Sequence, residues 1–230
     1  MKPKGEISVP KKLALIHTAS FLSDVFGEIC SDVMPDVDTF NIVDESLIGN
    51  TITAGHLTPN TSKRAAQYIQ SAEEAGADVI LVTCSSLGPA VEAARPFVSV
   101  PVLRIDEPMA DLAVHTGNRI GVIATLSTTL EPTIALVQAR ANAQKKNPEI
   151  ISYLCEGAFQ AVISGDTDTH DSIVSNGLRE LIPKVDVIVL AQASMARVVD
   201  TLSEEEKTVP ILSSPRLGIE ATKKVINALD

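Results

Sequence analysis

The sequence predicts an α/β protein built from two homologous lobes that face each other across a small cleft. Three observations predict it. Short, uniformly apolar runs alternate with helical stretches along the 230 residues, as in parallel strands buried on both faces by helices. Segments of the first half recur in the second, in the same order and at a nearly constant offset. The strand candidates of both halves end in loops rich in small hydroxyl residues that lead into helical segments.

In chain order, strands are predicted at residues 13–16, 39–43, 79–83, 100–105, 120–124, 150–154, 187–190 and 209–212. Helices are predicted at 23–33, 62–75, 86–94, 171–182 and 219–229. Gly76 falls just past 62–75, where a left-handed residue closes a helix, and Pro183 stops 171–182. KKLALIHTAS (11–20) recurs as NRIGVIATLS (118–127), an offset of 107. ADVILVTCSSLGPAV (77–91) recurs as VDVIVLAQASMARVV (185–199), an offset of 108. VPVL (100–103) recurs as VPIL (209–212) at 109, and FNIVDES (40–46) pairs more weakly with ISYLCEG (151–157) at 111. Apolar strands resemble one another by chance, so the shared order and narrow range of offsets carry the inference. The first lobe is assigned to 1–105 with 215–230 and the second to 106–214. The chain crosses near Asp106 and returns near Pro215 to lay its last helix on the first lobe. No Pro/Gly/Ser-rich linker intervenes, so tight packing of the lobes is expected.

Composition excludes several functions. A 45% hydrophobic share supports a sizeable core, against disorder. Nineteen basic against 29 acidic residues give a net charge of −10, and no basic run exceeds Lys11-Lys12 or Lys145-Lys146. That balance, with no Trp, two Tyr and five Phe, argues against nucleic-acid binding. No apolar run approaches the ~20 residues that span a bilayer. The polar N-terminus runs straight into a strand candidate without a signal-peptide pattern. Three cysteines are too few and odd for a disulfide framework. A soluble cytoplasmic protein with no membrane partner is expected.

Ligands of open parallel sheets bind beyond the carboxyl ends of the strands. In the first lobe those ends offer His17, Ser20, Asp44, Glu45, Cys84, Ser85 and Ser86; in the second, Thr125, Ser127, Cys155, Gln192, Ala193 and Ser194. Ser86, Thr129 and Ser194 have N-cap chemistry, and helix N-termini hold carboxylates. Cys84 is the sharpest position. At a strand end and helix start its thiol pKa is expected to fall, although a structural cysteine is the equal alternative. Its repeat counterpart is Gln192, so the duplication pairs a thiol with an amide. His17 is either a pocket ligand or an ordinary loop histidine. Asp44 and Glu45 either bind a substrate amino or hydroxyl group or cap a helix. His56, His115 and His170 are expected at the surface, Cys30 in the core, and the acidic stretch 166–171 as a solvated helix cap. There is no metal-ligand spacing, dinucleotide fingerprint, P-loop or nucleophile elbow, so no metal or cofactor is expected.

ADVILVTCSSLGPAVEAAR, with IGVIATLSTTLEPT and the two-lobe repeat, resembles the aspartate/glutamate/hydantoin racemase superfamily, which includes maleate isomerase and arylmalonate decarboxylase. The resemblance spans nearly the whole chain and is specific at Thr83-Cys84-Ser85-Ser86. It implies two Rossmann-like lobes related by a pseudo-twofold, with the site between them. It also implies a cofactor-independent enzyme acting beside a carboxylate of a small acid, and the homodimers or higher oligomers common in the superfamily. Typical relatives use one cysteine from each lobe on opposite faces of the substrate carbon. Cys84 matches the first; the second position reads Ala191-Gln192-Ala193. The decarboxylase relative also works with one thiol, but in the second lobe. Three chemistries remain open: Cys84 with a second base such as Cys155, one-sided proton transfer in an isomerase, decarboxylase or lyase, and covalent attack by Cys84. A non-catalytic binder of small carboxylates is the reading outside enzymes.

Overall fold

Among the described residues eight strands form from the apolar runs and fall into two separate four-stranded sheets, all parallel. The computed structural model describes residues 10–229. Residues 1–9 and 230, assigned above to the first lobe, lie outside the described residues. The first sheet contains β1 (Lys12–His17), β2 (Asp38–Val43), β3 (Val79–Val82) and β4 (Val102–Arg104), in the order β2-β1-β3-β4. The second contains β5 (Arg119–Ala124), β6 (Glu149–Leu154), β7 (Val187–Leu190) and β8 (Ile211–Ser213), in the matching order β6-β5-β7-β8. Register repeats as well. Leu13 opposite Val79 is answered by Ile120 opposite Val187, and Val82 opposite Arg104 by Leu190 opposite Ser213. Strand starts in the two sheets are offset by 107, 111, 108 and 109, the four values read from the sequence repeat.

Nine α-helices connect the strands of the described residues: α1 (Leu22–Val33), α2 (Ser46–Ala54), α3 (Pro59–Glu74), α4 (Gly88–Ala94), α5 (Glu107–Thr116), α6 (Ser127–Ala143), α7 (Ala158–Ile163), α8 (Thr167–Leu181) and α9 (Ser214–Asn227). Local chemistry sets their ends. The Thr58 hydroxyl accepts from the Thr61 N–H and Pro59 opens α3, three residues before the sequence placed it. Gly76, at φ +87°, closes α3. Its N–H reaches Glu73 O and that of Ala77 reaches Ala72 O, the paired bonds of a Schellman end. Asp166 accepts from the Thr169 N–H, so the acidic stretch caps and begins α8.

Alternating strand residues feed two core layers per lobe. Leu13, Leu15, Val79 and Leu81 pack with Leu22, Phe26 and Cys30 of α1, while Ala14, Ile16, Ile80 and Val82 face Ala65, Ile69 and Ala72 of α3. The second lobe repeats this with α6 and α8. The third layer member is exchanged. Helix α5 follows β4 of the first lobe, yet Met109, Ala110, Ala113 and Val114 join the core of the second. Helix α9 follows β8, yet Ile219 and Ile226 join Leu13, Leu15 and Phe26. At Gly218 a Cβ would stand 2.2 Å from Ile105 Cδ1 and 2.9 Å from Ile105 O, so glycine allows this close crossing. One expectation needs correction: β2 and β6 are partly exposed, because each is an edge strand with a neighbour on one side only.

Candidate active site

A cavity of about 630 Å³ lies between the carboxyl ends of the two sheets. It is lined from the first lobe by Thr18, Ala19, Glu45, Cys84, Ser85 and Ser86, and from the second by Leu126, Thr129, Gln192, Ala193 and Ser194, among others. The buried hydroxyls of Ser86 and Thr129 meet across the lobes at 3.1 Å. That bond corrects the capping expectation. Ser86 sits inside a 3₁₀ turn (Ser85–Leu87) before α4, Thr129 inside α6, and Ser194 inside a 3₁₀ segment (Ala193–Thr201).

Cys84 leaves β3 in extended conformation and stands half-buried on the cavity wall. Burial pushes its thiol up, against a hydrogen bond from the Thr18 hydroxyl and donors from the Ser86 and Leu87 N–H groups and the Ser86 hydroxyl. The lowering expected from the sequence is therefore overturned: desolvation of a thiolate outweighs the donors of one short turn. The resting group is a thiol.

Its counterpart is held differently. The Thr125 N–H donates to Gln192 Oε1 at 2.7 Å, and Gln192 Nε2 donates to Thr125 Oγ1 at 2.7 Å. Because a backbone N–H can only donate, this pairing fixes which end of the amide is which. Thr18 and Thr125 are repeat counterparts, so each lobe uses the same threonine to hold the group at the end of its third strand. Thr125 itself is not on the cavity wall, nor are Ser20 and Ser127. The Ser20 N–H instead fixes Glu45 Oε1 at 2.9 Å, leaving the Glu45 carboxylate beside the cavity with its pKa lowered.

Other predicted residues lie elsewhere. Cys155 is 1% exposed in the apolar core of the second lobe, its thiol pushed up to about 12 by burial, and it does not line the cavity. Cys30 is in the core, as expected. His17 is buried behind the wall, within hydrogen-bonding distance of Thr83 Oγ1 (2.8 Å) and Asn41 Oδ1 (2.9 Å), with its ring 5.5 Å from that of Phe26. Burial lowers its pKa, against the Asn41 bond, so it stands neutral and steadies the residue preceding Cys84. Asp44 is committed to Arg64, Tyr68 and Ser46. His170, expected at the surface, is fully buried, with Nδ1 2.7 Å from Asp171 and Nε2 without a partner among the described residues. The apolar stripe of α8 turns it inward. Sequence reasoning passed over the apolar walls, Phe21, Ile48, Phe159, Val162 and Ile163, whose spacing reads as ordinary core. Among the described residues no group of three or more His, Cys, Asp or Glu is placed to hold a metal ion, and no helix is long and apolar enough to cross a membrane.

Paired parallel-sheet lobes sharing one cleft at their strand ends define a class of two-lobed α/β proteins built around a small ligand. Within that class, the family model described as Asp/Glu/Hydantoin racemase matches residues 18–222, and the chain belongs to this family. Membership makes it, in general terms, an enzyme of racemase or isomerase type. The fold is shared with solved structures at low identity. The glutamate racemase of Francisella tularensis subsp. tularensis SCHU S4, in complex with D-glutamate, matches with TM-score 0.74 and 14% identity, over 95% of this chain and 81% of that one. Allantoin racemase from Klebsiella pneumoniae gives 0.70 and 16%, over 95% and 88%. Picrophilus torridus aspartate racemase gives 0.69 and 16%, over 94% of both chains. Among curated proteins none matches significantly by sequence.

Proposed function

We propose that the chain is a cofactor-independent isomerase-type enzyme in which Cys84 moves a proton at the carbon next to the carboxylate of a small acid. One observation carries this reading. Among the described cysteines Cys84 alone lines the cleft, and the opposite wall carries Gln192, whose amide is tied to Thr125. An amide orients a carboxylate or carbonyl but does not exchange protons near neutral pH. Proton transfer therefore runs on the Cys84 face. The N–H groups of Ser85, Ala193 and Ser194, which open the 3₁₀ turns after β3 and β7 and have no partner within their own helix, are suited to hold the charge that develops on the substrate.

The same observation favours a second reading, a one-thiol decarboxylase or lyase. A thiol raised by burial is stocked with the proton that such an enzyme delivers to one face of a carbanion. Proton NMR in D₂O with a panel of small carboxylates separates the readings, using the wild type and Cys84→Ala. Loss of a Cα–H signal with the wild type alone supports Cys84-dependent isomerase chemistry. Appearance of a decarboxylated product, deuterated with one handedness, selects the second. Binding of several acids with neither exchange nor turnover defeats both and leaves a carboxylate binder. As a base, Cys84 should give a rate that rises with pH, with its inflection above the ordinary thiol value, because burial disfavours the thiolate.

A further inference from the structure

The cleft is charged in one sense only. Among the described residues its lining includes the carboxylate of Glu45 and no Lys, Arg or His. A second acidic group on the substrate would thus meet a like charge and no cation. Beyond its hydroxyl and amide groups the wall is apolar, and while Leu22 and Phe26 also belong to the first-lobe core, a further set of apolar residues is turned toward the cavity. Helix α7 packs its small residues, Ala158 and Ala161, inward. Phe159, Val162 and Ile163, spaced i, i+3 and i+4, line the cleft, with Ile163 68% exposed. Across the mouth stands Phe21 of the first lobe, 56% exposed, and Ile48 occupies the position that repeats Phe159. Large apolar side chains left open on both rims of a concave site mark surface that a ligand covers. A volume of about 630 Å³ leaves ample room beside the reacting carbon for such a group.

We infer that the substrate has a single carboxylate and an uncharged apolar substituent that lies against Phe159, Val162, Ile163 and Phe21. Acidic amino acids and other diacids are poor ligands. This inference rests on the proposed reading of the cleft as the substrate site, and its test does not require turnover.

The test is protection of Cys84 from iodoacetamide, followed by mass spectrometry of the Cys84 peptide, with the buried Cys30 and Cys155 as internal references. The probes are two matched pairs that differ only in the distal group, leucine against glutamate and 4-methylpentanoate against glutarate, with phenylalanine and 3-phenylpropionate as larger apolar members. Half-protection by an apolar member of each set is expected at a concentration at least tenfold below that of its diacid. Ile163→Lys, at an exposed position that does not threaten folding, should narrow this gap several-fold by giving the diacid a cation. Equal or better protection by glutamate and glutarate overturns the inference, as does failure of every probe to protect. Deuterium exchange on the same mixtures separates the two proposals. Apolar acids that protect but never exchange uphold the substrate class and defeat proton transfer, whereas diacids that protect best and exchange do the opposite.

Discussion

The first lobe ends β3 in a thiol and the second ends β7 in an amide, although the strands, their register and the threonines that hold both groups are matched. A second contrast lies one turn further on. In the first lobe Gly88 admits the guanidinium of Arg104, which pairs with Asp106 through bonds of 3.0 and 2.9 Å beneath the cleft. In the second lobe the corresponding positions are Ala196 and Ser213, a short side chain that needs no such space. A third contrast is at the strand starts. Asp78 accepts one N–H, from Lys12, while Asp186 accepts those of Asn118 and Arg119 and also pairs with the Arg119 guanidinium. Backbone geometry is thus shared between the lobes, and individual side chains divide the labour.

Removing the thiol should break the chemical contrast most. Cys84→Ala is expected to lower proton exchange by about 10²–10⁴-fold, the usual worth of a positioned acid or base, as read by deuterium incorporation. Making the first lobe resemble the second at Gly88 comes next. The Cβ of Gly88→Ala would lie 2.3 Å from Arg104 Cζ, so a loss of about 2–3 kcal/mol is expected in urea unfolding. Ala196→Gly, the reciprocal change, should cost at most about 1 kcal/mol. Restoring symmetry with Gln192→Cys should add exchange on the opposite face, a gain of about tenfold seen as loss of handedness in the deuterated product. No change of handedness would mean that the second wall does not face the reacting carbon.

The smallest effect is at the strand starts, where Asp186→Asn should lower the melting temperature more than Asp78→Asn. The Arg119 guanidinium first, then the backbone N–H bonds, hold Asp186 below the ordinary aspartate value of 3.8. Its folded pKa is depressed, so its contribution is complete above 3.8. The gap between wild type and Asp186→Asn should close as pH falls through the lowered folded value.

The fold was legible because burial on two faces leaves a plain mark: unbroken apolar runs such as Val79–Val82 and Val187–Leu190, repeated at a fixed distance. Edge strands such as β2 were harder to read fully, since exposure depends on which neighbours the sheet supplies. At the cleft, strand-end position singled out Cys84, Glu45, Ser85, Ser86, Gln192, Ala193 and Ser194, all on the cavity wall. Position along the chain could not tell a residue that faces the cavity from one that holds its neighbour. His17 and Thr125 are of the second kind, and Cys155 of neither. Phe159 and Ile163 escaped because apolar residues at helical spacing ordinarily mean core, and only the packing of α7 on its alanines shows otherwise.

The exchange of α5 and α9 gives each lobe a core face completed by a helix that belongs, in chain order, to the other. Separated at the crossing, either half would bare the apolar face that its borrowed helix covers, Leu13, Leu15 and Phe26 in the one and Ile120, Val122 and Val137 in the other. Two identical half-length chains could satisfy the same arrangement by trading their last helices, but true symmetry would then put the same residue on both walls of the cleft. Covalent fusion frees the walls from that identity. Within one chain a thiol can confront an amide across an otherwise symmetric site, which two identical half-length chains cannot arrange, and this makes a handed outcome available to a duplicated scaffold.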